Sequence, residues 1–198
     1  ELALLRSGVA AARSGQGCLL LIRGEAGIGK TRLAEELCRD VDRPGDQVYW
    51  GRGVEGTGAP AFWPWMQVLR ALVAERDGRH FASVPPAEMA AVIRLVPEAF
   101  APADRGEAGE TTGGAIAAFQ GEVERFRLFD GLTSFLRRIA TRGSFGIVLD
   151  DLHAADPPSL LLLDFVARQI HGLPIWIVGT YREIEAQADP HRGPLISQ

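Results

Sequence analysis

Between a short apolar run and a helix-like stretch, the chain reads Gly24-Glu25-Ala26-Gly27-Ile28-Gly29-Lys30-Thr31, the spacing G-x-x-x-x-G-K-[ST]. Each residue type in it has a use if the ligand is a polyphosphate. Glycines let the main chain curve closely enough for successive N–H groups to face phosphate oxygens. A helix starting there adds the partial positive charge of its N-terminus. Lys30 is a compact charge on a flexible stem, able to lie between β- and γ-phosphates where a planar guanidinium would not fit. Thr31 brings a hydroxyl for Mg2+, and Arg32 follows in the same first turn. Lys30 is the one lysine among 21 basic residues. From this chain's own residue counts, chance produces such a match in roughly one chain in a thousand, which sets aside a plain glycine-rich turn.

A second cluster closes the apolar run Phe145–Leu149, where Asp150 and Asp151 stand side by side. In phosphoryl chemistry the first carboxylate holds Mg2+, partly through water, and the second orients or deprotonates the attacking water. Asp151 is one methylene shorter than glutamate, so slow hydrolysis is expected. Glu55 is a weaker candidate for that base and is first of all a surface charge. Thr180 and Arg182 follow the apolar run 174–179. In an open α/β sheet they share the ligand-binding edge at the strands' carboxyl ends. Arg182 could there reach a γ-phosphate and report its presence; the plain alternative is a surface arginine.

Other patterns carry less. Gly51-Arg52-Gly53-Val54-Glu55-Gly56 spells G-x-G-x-x-G, but Thr57-Gly58-Ala59-Pro60 follows in place of an apolar-periodic helix, so it fails as a dinucleotide site. Phe62-Trp63-Pro64-Trp65 reads as packing before it reads as a base-stacking platform. His153, three residues past Asp150, could contact the site, but reads first as a local structural histidine.

The elements that must position these residues follow from periodicity. Residues 1–14 predict an amphipathic helix. Cys18–Ile22 predicts a strand buried on both faces of a parallel sheet, and Lys30–Val41 a helix. Gln47–Gly51 predicts a second strand, and helices are expected over 65–75, 86–100 and 121–141. Residues 101–118 read as a mobile loop. Phe145–Leu149 is the third strand. Asp156 with Pro157 and Pro158 starts a helix over 159–170, and 174–179 is the fourth strand. Strands alternating with helices predict an α/β parallel sheet.

Of 198 residues 46% are apolar and 23% charged, proportions that suit one domain able to bury a core. Residues 1–198 are taken as a single domain with a helical insertion at about 56–144. Twenty-one basic against 25 acidic residues give a net charge of −4. That disfavours a nucleic-acid motor, which needs a basic stripe. No apolar run approaches the roughly 18–20 residues that span a bilayer, so no membrane partner is expected. Two cysteines, too few for a disulfide framework, and no Asn to accept a glycan point to the cytoplasm. Beginning at Glu1 and ending in mid-pattern at Gln198, the chain is expected to be a piece of a longer one.

GEAGIGKTRL, IVLDDLHAADPPSLLLLDF and PIWIVGTYRE resemble the ATPase module of large ATP-binding bacterial regulators of the LuxR type. These belong to the STAND class of signalling P-loop NTPases, related to AAA+ proteins. The resemblance covers nearly the whole chain and is weakest between Gly78 and Gly121. It implies a three-layer α/β sandwich with strand order 5-1-4-3-2, the fifth strand lying beyond this chain. ATP or ADP and Mg2+ are the implied ligands, held by Gly24 to Arg32, Thr180 and Arg182, with Thr31 and Asp150 on the metal. Lys30, Asp151 and Arg182 take the implied catalytic roles, in a weak Mg-dependent ATPase acting as a switch. The implied partners are neighbouring domains of its own full-length chain and further copies of itself, with DNA met only through another domain. An adenine-contacting segment is implied ahead of Glu1 and a helical lid after Gln198. The alternatives are a nucleotide-binding scaffold without hydrolysis, or the same module joined to a cyclase or protein kinase. A metabolite kinase is disfavoured, since no acceptor site or basic lid follows the fourth strand.

Overall fold

Four short apolar runs make a sheet with helices packed against both of its faces. The computed structural model describes residues 1–41, 47–56, 58–75, 81, 84–100 and 121–182. In chain order these form α1 (Leu2–Arg13), β1 (Cys18–Arg23), α2 (Lys30–Val41), β2 (Gln47–Arg52), α3 (Trp63–Ala74), α4 (Pro86–Leu95), α5 (Glu122–Ala140), β3 (Phe145–Asp150), α6 (Pro157–Gln169) and β4 (Ile175–Tyr181). The described strands are all parallel, in the order β1-β4-β3-β2. This is the expected 1-4-3-2 arrangement, and the expected fifth strand lies outside the described residues. Residues 101–118, expected to be a mobile loop, lie outside them too.

Side chains alternate between the faces with the period of two that a strand imposes. Tyr49, Phe145, Ile147, Leu149, Ile175 and Ile177 point into a large core shared with α3 to α6. Val148, Trp176 and Val178 point the other way, against Leu5, Val9 and Ala12 of α1 and Ala34, Leu37 and Val41 of α2. The result is three layers. Trp176 is nearly fully buried because its register partner is Gly146: a Cβ there would lie 2.1 Å from the indole.

Two expectations need correction. β1 is not buried on both faces: its partner on one side is β4, and it ends the described sheet, leaving Leu21 38% exposed. The helix expected over 86–100 stops at Leu95 and resumes as a 3-10 turn, Pro97–Phe100. Pro97 has no N–H to continue the ladder and biases Val96 out of the helical region; Val96 sits at φ −136°, ψ 60°.

The helical layer is tied to the sheet at one junction. Asp156 caps α6 by accepting from the Ser159 N–H (3.0 Å), as its sequence position predicts, and the same Oδ1 accepts from the Phe62 N–H (3.1 Å). That bond holds Phe62 at φ 65°, a conformation costly for a non-glycine residue. The Trp65 indole N–H donates to the Ser159 carbonyl at 3.0 Å. Phe62 and Trp65 are thus core, as packing and not stacking was expected. α3 starts so close to β2 that a Cβ on Gly51 would lie 2.0 Å from the Pro64 carbonyl oxygen. Gly51→Ala is therefore expected to lower stability by about 1–3 kcal/mol through overpacking, measured by denaturant unfolding. An unchanged midpoint would contradict this docking of α3 on β2.

Candidate functional site

β1 delivers the chain to the carboxyl edge of the sheet, and the loop after it must turn sharply into α2. Gly27 at φ 76° and Gly29 at φ 97° make that turn. Nothing lies within 4 Å of a Cβ at either position, so it is the left-handed backbone and not crowding that calls for glycine. Lys30 opens α2, whose first N–H groups have no partner within the helix and carry its positive end. The Lys30 ammonium is nearly buried and donates to the carbonyls of Gly24 (3.0 Å) and Glu25 (2.8 Å). It thus lies across the loop it belongs to. Glu25, Ala26, Ile28 and Arg32 are exposed around it.

Asp150, the last residue of β3, is 1% exposed. Thr180 at the end of β4 donates its hydroxyl to Oδ1 at 2.6 Å. Thr31, in the first turn of α2, donates to the same carboxylate at 2.9 Å. Arg52 at the end of β2 donates from Nε at 3.0 Å and from Nη2, both to Oδ2. Burial alone pushes the carboxyl pKa up. The bonds from Thr180, Arg52 and Thr31, with the guanidinium's charge, outweigh it and hold the group below its ordinary value. Asp150 is therefore a carboxylate at neutral pH.

Asp151 adopts φ 56°, ψ 49°, a region that aspartate visits more readily than most residues. Its N–H donates to the Thr180 hydroxyl oxygen at 3.0 Å, so one threonine binds both acidic residues. The Asp151 carboxylate is partly exposed, 3.5 Å from Arg52 Nε and 3.9 Å from His153 Nε2. His153 is buried, with Glu55 3.6 Å from its Nε2. Glu55 also meets Arg182 Nη1 at 3.4 Å.

The structure thus brings Lys30, Thr31, Asp150, Asp151 and Thr180 to one edge of the sheet, and places Arg182 beside Glu55 on that edge. The residue that sequence reasoning missed is Arg52. It lies inside the G-x-G-x-x-G pattern set aside as a failed dinucleotide site. The signal that finds it is strand register: Arg52 is paired with Asp150 across β2 and β3.

The donors fit a magnesium ion. Thr31 and Asp150 present a hydroxyl and a carboxylate, within hydrogen-bond reach of each other, at the mouth of the loop. Hard oxygen ligands, few from protein and the rest from phosphate and water, are what this cation takes.

A parallel sheet with this loop after its first strand and this carboxylate ending its third defines a P-loop nucleotide-binding domain. The model of the AAA ATPase domain matches residues 1–178, and the chain belongs to that family. No curated protein matches the chain. Among solved structures, it is similar to a chain of the structure of Drosophila ORC bound to AT-rich DNA and Cdc6, at 12% identity and a TM-score of 0.44. The match covers 98% of this chain and 52% of that one, so this chain spans about half of its length. Among the described residues no helix is long and apolar enough to cross a membrane.

Asp150→Asn keeps the shape of the side chain and removes its charge. Unfolding at pH 7 is expected to show a loss of about 1–3 kcal/mol. The folded pKa is lowered, so the charge adds stability above the unfolded value of ~3.9 and that addition fades as pH falls through the folded value. The gap between wild type and variant narrows below pH ~4. A gap that stays constant to pH 3 would show that the charge is not what the donors hold.

Proposed function

We propose that the chain is the ATP-binding, slowly hydrolysing switch domain of a multidomain bacterial transcriptional regulator. The observation that carries the nucleotide reading is the contact between Thr31, at the mouth of the loop, and Asp150, at the end of β3. It joins a loop shaped for phosphate to a carboxylate suited to the accompanying cation. On this reading the N–H groups from Gly27 to Thr31 and the Lys30 ammonium bind the phosphates, the ammonium exchanging the carbonyls of Gly24 and Glu25 for phosphate oxygens. Thr31 and Asp150 would hold Mg2+, which, when bound, neutralises phosphate charge. Asp151 orients the attacking water. Its fixed backbone, bonded to Thr180, aims the side chain while leaving it wet.

Beside the loop lies an open cavity of about 750 Å³, lined by the apolar Leu4, Leu5, Leu21, Ile22, Ile28 and Leu33 and by the charged Glu1, Arg23, Lys30, Arg32 and Glu36. It has room for a nucleobase and ribose, with apolar side chains for the base and polar groups for the sugar. Leu4 and Ile28 are 74% and 70% exposed, an apolar surface that a base would cover. The assignment to a regulator of the LuxR type, located in the cytoplasm and acting through neighbouring domains and self-association, is supported by the three sequence blocks. DNA contact belongs to another domain, in keeping with the net charge of −4.

Lys30→Ala is expected to weaken binding of a fluorescent ADP analogue by about 30-fold or more, since it truncates a buried charge that pairs with phosphate. Asp151→Asn is expected to keep that binding and lose phosphate release from ATP. Unchanged binding by the Lys30 variant would overturn the nucleotide reading. Unchanged phosphate release by the Asp151 variant would remove that residue from the mechanism.

A further inference from the structure

Arg52 stands where the metal's carboxylate faces outward. It has two donors on Oδ2 of Asp150, while Thr180 and Thr31 occupy the rest of the group. A carboxylate offers about four acceptor positions, and four N–H or O–H donors already meet this one. A cation approaching Asp150 has to take a position from one of them. Thr180 is fully buried and also holds the Asp151 backbone, so it cannot leave. Thr31 is itself expected on the metal. Arg52 is the exception: its side chain is 56% exposed and Asp150 is 1% exposed. The guanidinium can return to water at little cost, whereas the carboxylate has nowhere to go. Its Nε already lies 3.5 Å from Asp151, which gives the displaced group a second carboxylate at hand. The backbone of Arg52 is meanwhile held, its carbonyl accepting from Gln67 of α3 at 3.0 Å. Only the side chain has to move.

We propose that Arg52 is a built-in counter-ion of Asp150 that competes with Mg2+, so that the metal enters with its nucleotide by displacing the guanidinium. This rests on the nucleotide reading above and adds a threshold to it. The protein's own cation satisfies the buried carboxylate in the absence of the metal, and the competition raises the Mg2+ concentration at which the loaded state forms.

The test is a titration of Mg2+ into the whole chain with a fixed concentration of fluorescent ADP analogue, against a baseline in EDTA. Wild type, Arg52→Ala and Arg52→Lys are compared. The EDTA affinity of each protein serves as its own baseline, and the Mg2+ threshold is read relative to it. The half-saturating Mg2+ concentration of Arg52→Ala is expected to fall by about three-fold, the scale of an ion pair with one exposed partner, and Arg52→Lys to lie between. A half-saturating concentration that is unchanged or higher would overturn the proposal, because Arg52 would then be indifferent to the metal or support it. Wild type that binds the analogue in EDTA and ignores Mg2+ overturns this proposal while leaving nucleotide binding intact. Wild type that binds no analogue under either condition overturns the nucleotide reading and this proposal with it. Arg52→Lys guards against a folding defect: a lysine whose threshold lies above that of Arg52→Ala supports competition by charge, and one that matches Arg52→Ala overturns it.

Discussion

A carboxylate buried at the end of β3 constrains everything around it. Taking a charge out of water is expensive unless donors replace the lost hydration. Asp150 draws those donors from three other elements: Thr31 from α2, Thr180 from β4 and Arg52 from β2. They lie 119, 30 and 98 residues away in sequence. Only a sheet that sets β3 between β2 and β4, with β1 beyond β4, brings them to one point. Strand order and site are therefore one constraint. Slipping β3 by a single residue would turn Asp150 to the opposite face and carry Phe145, Ile147 and Leu149 out of their core.

The same edge reaches into the helical layer. The turn from Asp150 to Asp156 begins at the site and ends at a carboxylate that holds the start of both α6 and α3. Among the described residues two non-glycine positions have positive φ, Asp151 and Phe62, and they lie at the two ends of this connection. Such conformations cost about 1–3 kcal/mol each and persist only where the surroundings hold them. Here Thr180 holds one and Asp156 the other. In a domain whose proposed task is to report nucleotide state, this turn is a short covalent route from Asp150 to α6, and the hydrogen bond from Phe62 to Asp156 extends it to α3.

The parts of the molecule that were legible in the sequence are those whose information is local. The phosphate loop is contiguous, with Lys30 as its one lysine. The four strands are apolar runs, and Asp156 with two prolines announces a helix start. Sheet order came from the resemblance and not from periodicity. What could not be read depends on pairing across the sheet. Arg52 has no motif of its own: it sits between two glycines of a misleading pattern, and its role follows from lying opposite Asp150. Glu55, His153 and Arg182 likewise converge only once β4 and the loop after β2 are in place. β1 was misjudged because an apolar run records what a strand can tolerate, not which neighbours it has.

One proposed interaction carries the rest: Thr31 and Asp150 together hold a divalent cation that arrives with a nucleotide. Manganese can stand in for magnesium, and electron paramagnetic resonance counts the free ion directly. ADP and the wild-type chain together are expected to remove Mn2+ from solution one for one, beyond what ADP alone removes. Neither the chain without ADP nor a chain carrying both Thr31→Val and Asp150→Ala does so. Equal uptake by the doubly substituted chain, or uptake that needs no nucleotide, would contradict it.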